Sequence, residues 1–228
     1  MLFRKYFAIP LLALIVFAGF TGCEEDDSNP VTPAAKSNVM VIHSSPDAPG
    51  VDIIVDGNIA KSDLTYPTNT PYVEVDAGTR NVKVNATGTS TTVIEGNLPL
   101  EAGKSYSVFA VDTLGSIEPL VFTDNLTAPA SGKAHIRFIH LSPDAPAVDI
   151  TLLDGTVVFG DYAFKEGSDF TPVDAGTYNL LVRLAGTTTT VLPVDIVVEA
   201  GKIYTVFAKG LVAGSGVQAL GAQVIVNK

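Results

Sequence analysis

Two short blocks of the sequence carry the residues best suited to chemistry, each with a histidine followed by two aspartates. The first runs from His43 to Asp52 as HSSPDAPGVD. It returns from His140 to Asp149 as HLSPDAPAVD, with eight of ten residues identical. A histidine beside carboxylates suits general base catalysis or metal coordination. Carboxylates together with turn carbonyls also supply the oxygen ligands that Ca²⁺ prefers.

The same blocks have a structural interpretation, which we favour. Their prolines fix φ and cannot donate to a β-ladder, while Ser and Asp side chains bond nearby backbone N–H groups, so each block predicts a rigid turn after a strand. We expect each histidine to be half-buried, with a ring nitrogen bonded to a turn group, Asp47 or Asp144. One histidine per copy is a small ligand set for a metal. The alternative is a Ca²⁺ site in each copy, formed by Asp47 and Asp52 and by Asp144 and Asp149.

Two threonine-rich segments, residues 87–92 and 186–190, occupy equivalent hairpins. Threonine is a good strand former, so exposed hairpin flanks are the simplest interpretation. Loops at the end of a β-sandwich also commonly bind partners, which leaves contact with a glycan or a protein open.

Enzyme motifs are absent from the sequence, which contains no G-x-S-x-G, Walker A, H-E-x-x-H or post-strand G-x-G-x-x-G pattern. We therefore expect a protein that is not an enzyme and needs no cofactor, Ca²⁺ being the one candidate. A hydrolase using His43 or His140 with the neighbouring aspartates is the third alternative. It ranks after a binding, adhesion or structural role and after a carbohydrate-associated role.

The N-terminus has the pattern of an export signal, residues 1–22. Arg4 and Lys5 precede an apolar run over residues 8–20, which is too short for a relaxed transmembrane helix. The run leads to Gly22-Cys23, and the segment resembles the bacterial lipobox, which implies diacylglyceryl transfer to Cys23 and cleavage before it. An uncleaved membrane anchor and ordinary cleavage that leaves a free thiol are the alternatives.

Residues 23–37 have the composition of a lipidated cysteine followed by a flexible acidic stalk, with four acidic residues directly after Cys23. An acidic run is usually a solvated tether, but this one also resembles the surface-export signal of some Gram-negative lipoproteins. We expect a cell-envelope protein anchored by lipid in the outer membrane, with surface exposure as the open question. The formal charge of −10 disfavours nucleic acid as a partner.

The chain repeats itself, which predicts two copies of one domain. Besides the histidine blocks, DAGT at residues 76–79 returns at 174–177, and EAGKSYSVFA at 101–110 returns at 199–208 as EAGKIYTVFA. The repeats place the two domains at residues 38–126 and 134–228, with a linker at 127–133.

Each copy has the sequence pattern of antiparallel β-structure. Apolar and polar residues alternate over residues 81–86 and 178–184, which predicts strands with one packed and one wetted face. Asp56-Gly57 and Asp154-Gly155 favour type I′ hairpins, and no sustained helical periodicity appears. The prediction is an all-β chain of two tandem Greek-key β-sandwiches, with Ig-like or transthyretin-like topology.

The repeated H-x-S-P-D-A-P-x-V-D block resembles a bacterial family catalogued as domain of unknown function 4397. The resemblance implies an exported or lipid-anchored protein built from β-sandwich modules, and it implies no catalytic residues. The function we expect is a non-catalytic binding, adhesion or structural role, with a membrane as one partner and a glycan or protein as the other. The second alternative is a carbohydrate-associated accessory lipoprotein.

Overall fold

The computed structural model describes residues 34–228. The predicted signal peptide, Cys23 and its acidic run fall in residues 1–33, outside the described range. Residues 34–228 form one compact unit, and every described strand pairs within it. In the first module the strands are β1 (Lys36–His43), β2 (Val51–Val55), β3 (Asn58–Leu64), β4 (Val73–Asp76), β5 (Gly78–Ala86), β6 (Thr92–Leu100), β7 (Ser105–Val111) and β8 (Glu118–Asp124). In the second they are β9 (Lys133–His140), β10 (Val148–Leu152), β11 (Val157–Tyr162), β12 (Thr171–Asp174), β13 (Gly176–Leu184), β14 (Thr190–Val198), β15 (Ile203–Lys209) and β16 (Gly221–Val226).

Each module is a sandwich of two four-stranded sheets. The first module has the strand orders β4-β1-β7-β8 and β3-β2-β5-β6, and the second repeats them as β12-β9-β15-β16 and β11-β10-β13-β14. These sheets confirm the prediction of two tandem β-sandwiches. The expectation of purely antiparallel pairing is wrong at one place in each module, because β1 pairs with β7, and β9 with β15, in parallel.

The strand order decides between the two topologies left open by the sequence. In an immunoglobulin domain the first and second strands share a sheet, whereas here β1 and β2 lie in different sheets. The transthyretin-like alternative therefore remains. The described helical structure consists of two single 3₁₀ turns, Leu114–Ser116 and Gly216–Gln218, in agreement with the missing helical periodicity.

The two predicted Asp-Gly hairpins differ. Asp56 and Gly57 both have positive φ, 48° and 81°, and they join β2 to β3 as the two residues of a type I′ turn. In the second copy Gly155 has φ 92°, but Asp154 is not in the positive-φ region, and four residues separate β10 from β11. The type I′ expectation is therefore wrong for Asp154-Gly155.

The central strands of the sheets that contain the parallel pairs are buried on both faces: β1, β7, β9 and β15. Along β9, Ile136 and Phe138 belong to the core of the second module, while Ile139, on the opposite face, packs against the first module. The wetted face predicted from residues 81–86 and 178–184 concerns β5 and β13, which lie in the other sheet of each module. At the central strands the other module covers the face that would otherwise meet water. A continuous apolar cluster therefore joins the two sandwiches: Met40, Ile42, Phe109, Val111, Ile139, Leu141, Phe207 and Ile225.

Equivalent residues of the two copies meet at this junction. Phe109 and Phe207 hold the same place in the repeat, and their rings contact edge to face with centroids 5.8 Å apart. Contact between equivalent residues is the mark of an isologous interface. The two modules therefore pack through the same face, as the subunits of a two-fold dimer do.

Candidate functional site

The histidines of the repeated block lie at the ends of β1 and β9, beneath the turn that follows. His43 and His140 are both 0% exposed. Nε2 of His43 is 2.9 Å from the carbonyl oxygen of Pro49, and Nε2 of His140 is 3.1 Å from that of Pro146. Burial lowers the pKa of both rings, more than the bond to the proline carbonyl raises it.

Two details differ from the sequence expectation. The rings are fully buried rather than half-buried, because the turn folds over them. Their acceptor is a proline carbonyl, not the carboxylate of Asp47 or Asp144. A proline carbonyl is a fitting partner, since the ring donates to an oxygen that the rigid turn holds in place.

The first aspartate of each block holds a neighbouring loop. Oδ1 of Asp47 accepts the backbone N–H of Leu114 at 2.7 Å, and Asp144 accepts that of Val212 at 2.9 Å. The turn after the histidine is thereby fastened to the loop that follows the parallel partner strand, β7 or β15.

The second aspartate of each block joins two other segments. Asp52 accepts the backbone N–H groups of Asp63, at 2.9 Å, and of Gly88, at 3.3 Å. Asp149 accepts N–H groups of Asp161 and Gly186 in the same way, both at 2.8 Å. Each of these carboxylates thus connects the end of its hairpin (β3 or β11) to a threonine-rich loop, with both oxygens engaged. The N–H of Asp63 is the main reason that the pKa of Asp52 is lowered.

The four aspartates therefore serve separate backbone groups. The hydrolase alternative needs a histidine open to substrate beside carboxylates, and the structure instead covers both rings and turns the aspartates towards loops. Within residues 34–228 no group of three or more His, Cys, Asp or Glu side chains is placed to hold a metal ion.

The threonine-rich hairpins are exposed along their length. One threonine at the same place in each hairpin stabilises the turn: Thr89 donates to the carbonyl of Ala86 at 2.8 Å, and Thr187 to that of Leu184 at 2.9 Å. The hairpins are consequently ordered surface features, fixed both by these bonds and by Asp52 and Asp149.

Contacts between the modules bring their loop ends together. Nζ of Lys165 is 3.5 Å from Asp112 and forms an ion pair with Glu118, while the backbone N–H of Lys165 donates to the carbonyl of His140. Nζ of Lys209 lies 5.6 Å from the ring centre of Tyr66. We call this surface the composite loop face; it comprises the turns after both histidines, the two threonine-rich hairpins, and loops 112–117 and 163–170.

A buried polar network between the modules was missed by the sequence reasoning. Arg137 forms an ion pair with Asp124, Nη1 to Oδ1 at 2.7 Å, and donates to Ser107 at 3.0 Å and to Thr205 at 2.8 Å. The signal was present in the repeat, because Arg137 interrupts the apolar strand β9 where the first copy has Met40. An arginine inside an apolar strand indicates a buried partner.

Comparison with known proteins gives the chain its family. The model of the family described as "Domain of unknown function (DUF4397)" matches residues 37–151 and 150–228. The chain belongs to the DUF4397 family. The two matches divide within β10, whereas the sheets divide between Asp124 and Lys133. A search of the curated proteins finds no match.

Two solved structures are similar to this DUF4397 protein at 11% identity. The Bacillus anthracis TIE protein matches with a TM-score of 0.25 over 77% of this chain, which spans 34% of that protein. A family CBM26 module from Eubacterium rectale Amy13K, solved in complex with maltoheptaose, matches with a TM-score of 0.27 over 82% of this chain and 96% of that one. Among residues 34–228, no helix has the length and apolar character to cross a membrane.

Proposed function

We propose that this protein is a non-catalytic binding protein of the cell envelope, anchored by lipid at Cys23, that engages its partner through the composite loop face. The observation that carries the binding proposal is the joining of the loop ends of both modules through Lys165. Loops fixed on a rigid β-scaffold bind partners with little loss of conformational entropy.

The burial of the two histidines supports a non-catalytic role. His43 and His140 carry the side chains best suited to general base catalysis, yet both are covered and bonded within their own turns. The residues repeated in both modules therefore order the loops, and the exposed threonine hairpins are the surface left for a partner.

Lipid anchoring is tested by replacing Cys23. The Cys23→Ser variant is expected to lose the acyl mass and to move from the detergent phase to the aqueous phase, because two or more acyl chains give stable membrane binding. Globomycin treatment should likewise block cleavage of the signal. A variant with unchanged mass and partitioning would show that Cys23 carries no lipid. Removal of the protein by protease added to intact cells would place it on the surface.

Binding is tested with the folded unit, residues 34–228, labelled and added to isolated envelopes of cells that lack the protein. We expect saturable binding that is lost when residues 87–91 and 186–189 are both replaced by Gly-Ser loops. A matched control changes Lys83 and Glu95, an exposed ion pair on strands β5 and β6, to glutamine.

The treatment of the envelopes then identifies the partner class. Loss of binding after polysaccharide digestion would favour the carbohydrate-associated alternative, and loss after proteolysis a protein partner. Binding that is absent, or unchanged by the loop replacement, would contradict the proposal.

A further inference from the structure

An apolar cavity of about 140 Å³ lies between the two sheets of the first module. It follows β1 from Val39 to His43, a length of about 13 Å at the rise of a β-strand. Its volume is close to the ~150 Å³ of an apolar protein cavity that stays dry and holds benzene. The walls are aliphatic side chains of both sheets, among them Val41, Val55, Val82, Leu98 and Val108.

The second module fills the equivalent space. Phe138 replaces Val41 in the repeat, Phe159 replaces Lys61, and Val194 replaces Gly96. Phe138 and Phe159 stack with ring centroids 6.3 Å apart in the centre of that module's core.

The second module has a smaller space of about 100 Å³, lined by His140 and Pro146 beneath the turn. The long cavity is therefore a property of the first copy and not of the fold.

The cavity of the first module is reachable from solvent at the edge strands β6 and β8. Gly96 and Asn97 on β6 line it and are exposed, and Val121 on β8 lines it with 39% of its surface exposed. Arg80 lines the cavity too, and it pairs with Leu98 of β6. An entering ligand therefore passes close to Arg80.

Arg80 gives the cavity a charged end. It stands where the second module has Tyr178, on the side of β5 that carries Val84 into the core. Its Nη2 donates to the carbonyl of Ala77 and its Nη1 to Asp56, while its buried Nε has no partner in the described structure. Among the described residues that line the cavity, Arg80 is the one with a permanent charge.

We propose that the first module binds a medium-chain alkyl carboxylate, with the alkyl chain between the sheets and the carboxylate at Arg80. The long apolar cavity matches the chain, and the guanidinium matches the head group. The inference depends neither on the anchor at Cys23 nor on the composite loop face, so those proposals and this one can fail separately.

The head group and the chain are tested by calorimetric titration of the unit of residues 34–228. We expect octanoate to bind more tightly than hexanoate, by about fourfold for each methylene that enters the cavity. The Arg80→Gln variant should weaken octanoate about tenfold and leave octanol unchanged. Equal binding of octanoate and octanol, unaffected by Arg80→Gln, would overturn the carboxylate assignment.

The location of the binding site is tested by substitution. Residues that fill the core of the second module are introduced at the equivalent positions of the first. Val41→Phe and Gly96→Val are each expected to abolish octanoate binding while keeping the melting temperature at or above that of the parent protein. A Cβ atom added to Gly96 would meet no other atom within 4 Å, and the φ of Gly96 lies outside the left-handed region, so a side chain can begin there without backbone strain. Val197→Phe, on an exposed position of the second module, is the control and should bind normally. Absence of saturable binding to the parent protein, or unchanged binding to both folded filling variants, would overturn the proposal.

Discussion

The guanidinium of Arg137 lies 2.7 Å from the carboxylate of Asp124, with the arginine side chain 2% exposed and the aspartate side chain fully buried. The two residues belong to different modules, so this ion pair ties the tandem together. Burial lowers the pKa of Arg137, and the charge of Asp124 opposes that effect. Burial, with a smaller contribution from Asp124, raises the pKa of Tyr72 to about 12.

The remaining members of the network close a ring of hydrogen bonds. Tyr72 donates to Asp124 and accepts from Asn227 at 3.0 Å, and Asn227 in turn accepts from Thr205, which holds Arg137. Two buried charges need this number of partners, because each loses its hydration when the modules come together.

Removing one member of the ion pair is expected to destabilise the protein strongly. Arg137→Met introduces the residue that the first copy has at this place, Met40, and leaves the charge of Asp124 buried without its partner. We expect a loss of about 3–5 kcal/mol in the free energy of unfolding, measured by urea denaturation.

The double variant Arg137→Met with Asp124→Asn removes both charges and should recover most of that loss. A single variant that loses less than about 1 kcal/mol, or a double variant no better than the single one, would show that the pair contributes little to the junction.

The sequence predicts the interior of each module better than the contact between them. Repeated blocks and alternating residues are local patterns, and they led correctly to two β-sandwiches. The burial of Phe109 and Phe207 against each other depends on how two complete sandwiches meet, which no periodicity within one strand encodes. Arg137 was visible in the sequence, but its partner Asp124 lies at the end of a strand of the other module.

The residues of the candidate site could be predicted from the sequence, but their hydrogen-bond partners could not. The prolines and aspartates of the repeated block indicated a rigid turn, and His43 was expected to bond to it. The acceptor proved to be the Pro49 carbonyl, since the turn closes over the ring and directs Asp47 towards Leu114. Side-chain direction after a turn depends on the exact backbone path, which residue types alone leave undetermined.

Stability is expected to fall when the pH drops below about 6.5, the ordinary pKa of histidine. The pKa of His43 and of His140 is lowered in the folded protein, so the unfolded chain binds more protons in this range and acid favours unfolding. The measurement is the melting temperature between pH 8 and pH 5.

In the variant His43→Gln with His140→Gln, the amide keeps a donor for the proline carbonyl and does not titrate. Its melting temperature should depend less on pH over this range. The lowered pKa of Asp52 acts separately, because its stabilisation is lost as the pH falls below about 4. An unchanged pH profile in the double variant would contradict the assignment to the histidines.

Asp149→Ala is expected to destabilise the protein more than Asp52→Ala. Asp149 is 8% exposed, and its loss leaves the N–H groups of Asp161 and Gly186 without their acceptor, at a cost of about 1–3 kcal/mol. Asp52 is more exposed, so in Asp52→Ala water can more readily accept from the N–H groups that lose the carboxylate. Unfolding in urea measures both variants, and equal losses would contradict the argument from burial.

Calcium is expected to leave the melting temperature of residues 34–228 unchanged at millimolar concentration. A cation at either block has to displace backbone N–H groups from the aspartates, and Ca²⁺ needs six to eight oxygen ligands. Thermal denaturation with Ca²⁺, with Mg²⁺ and with chelator tests this, because a ligand specific for the folded state raises the melting temperature by mass action. A rise with Ca²⁺ that chelator reverses, and that Asp47→Asn and Asp52→Asn together remove, would instead establish the metal site.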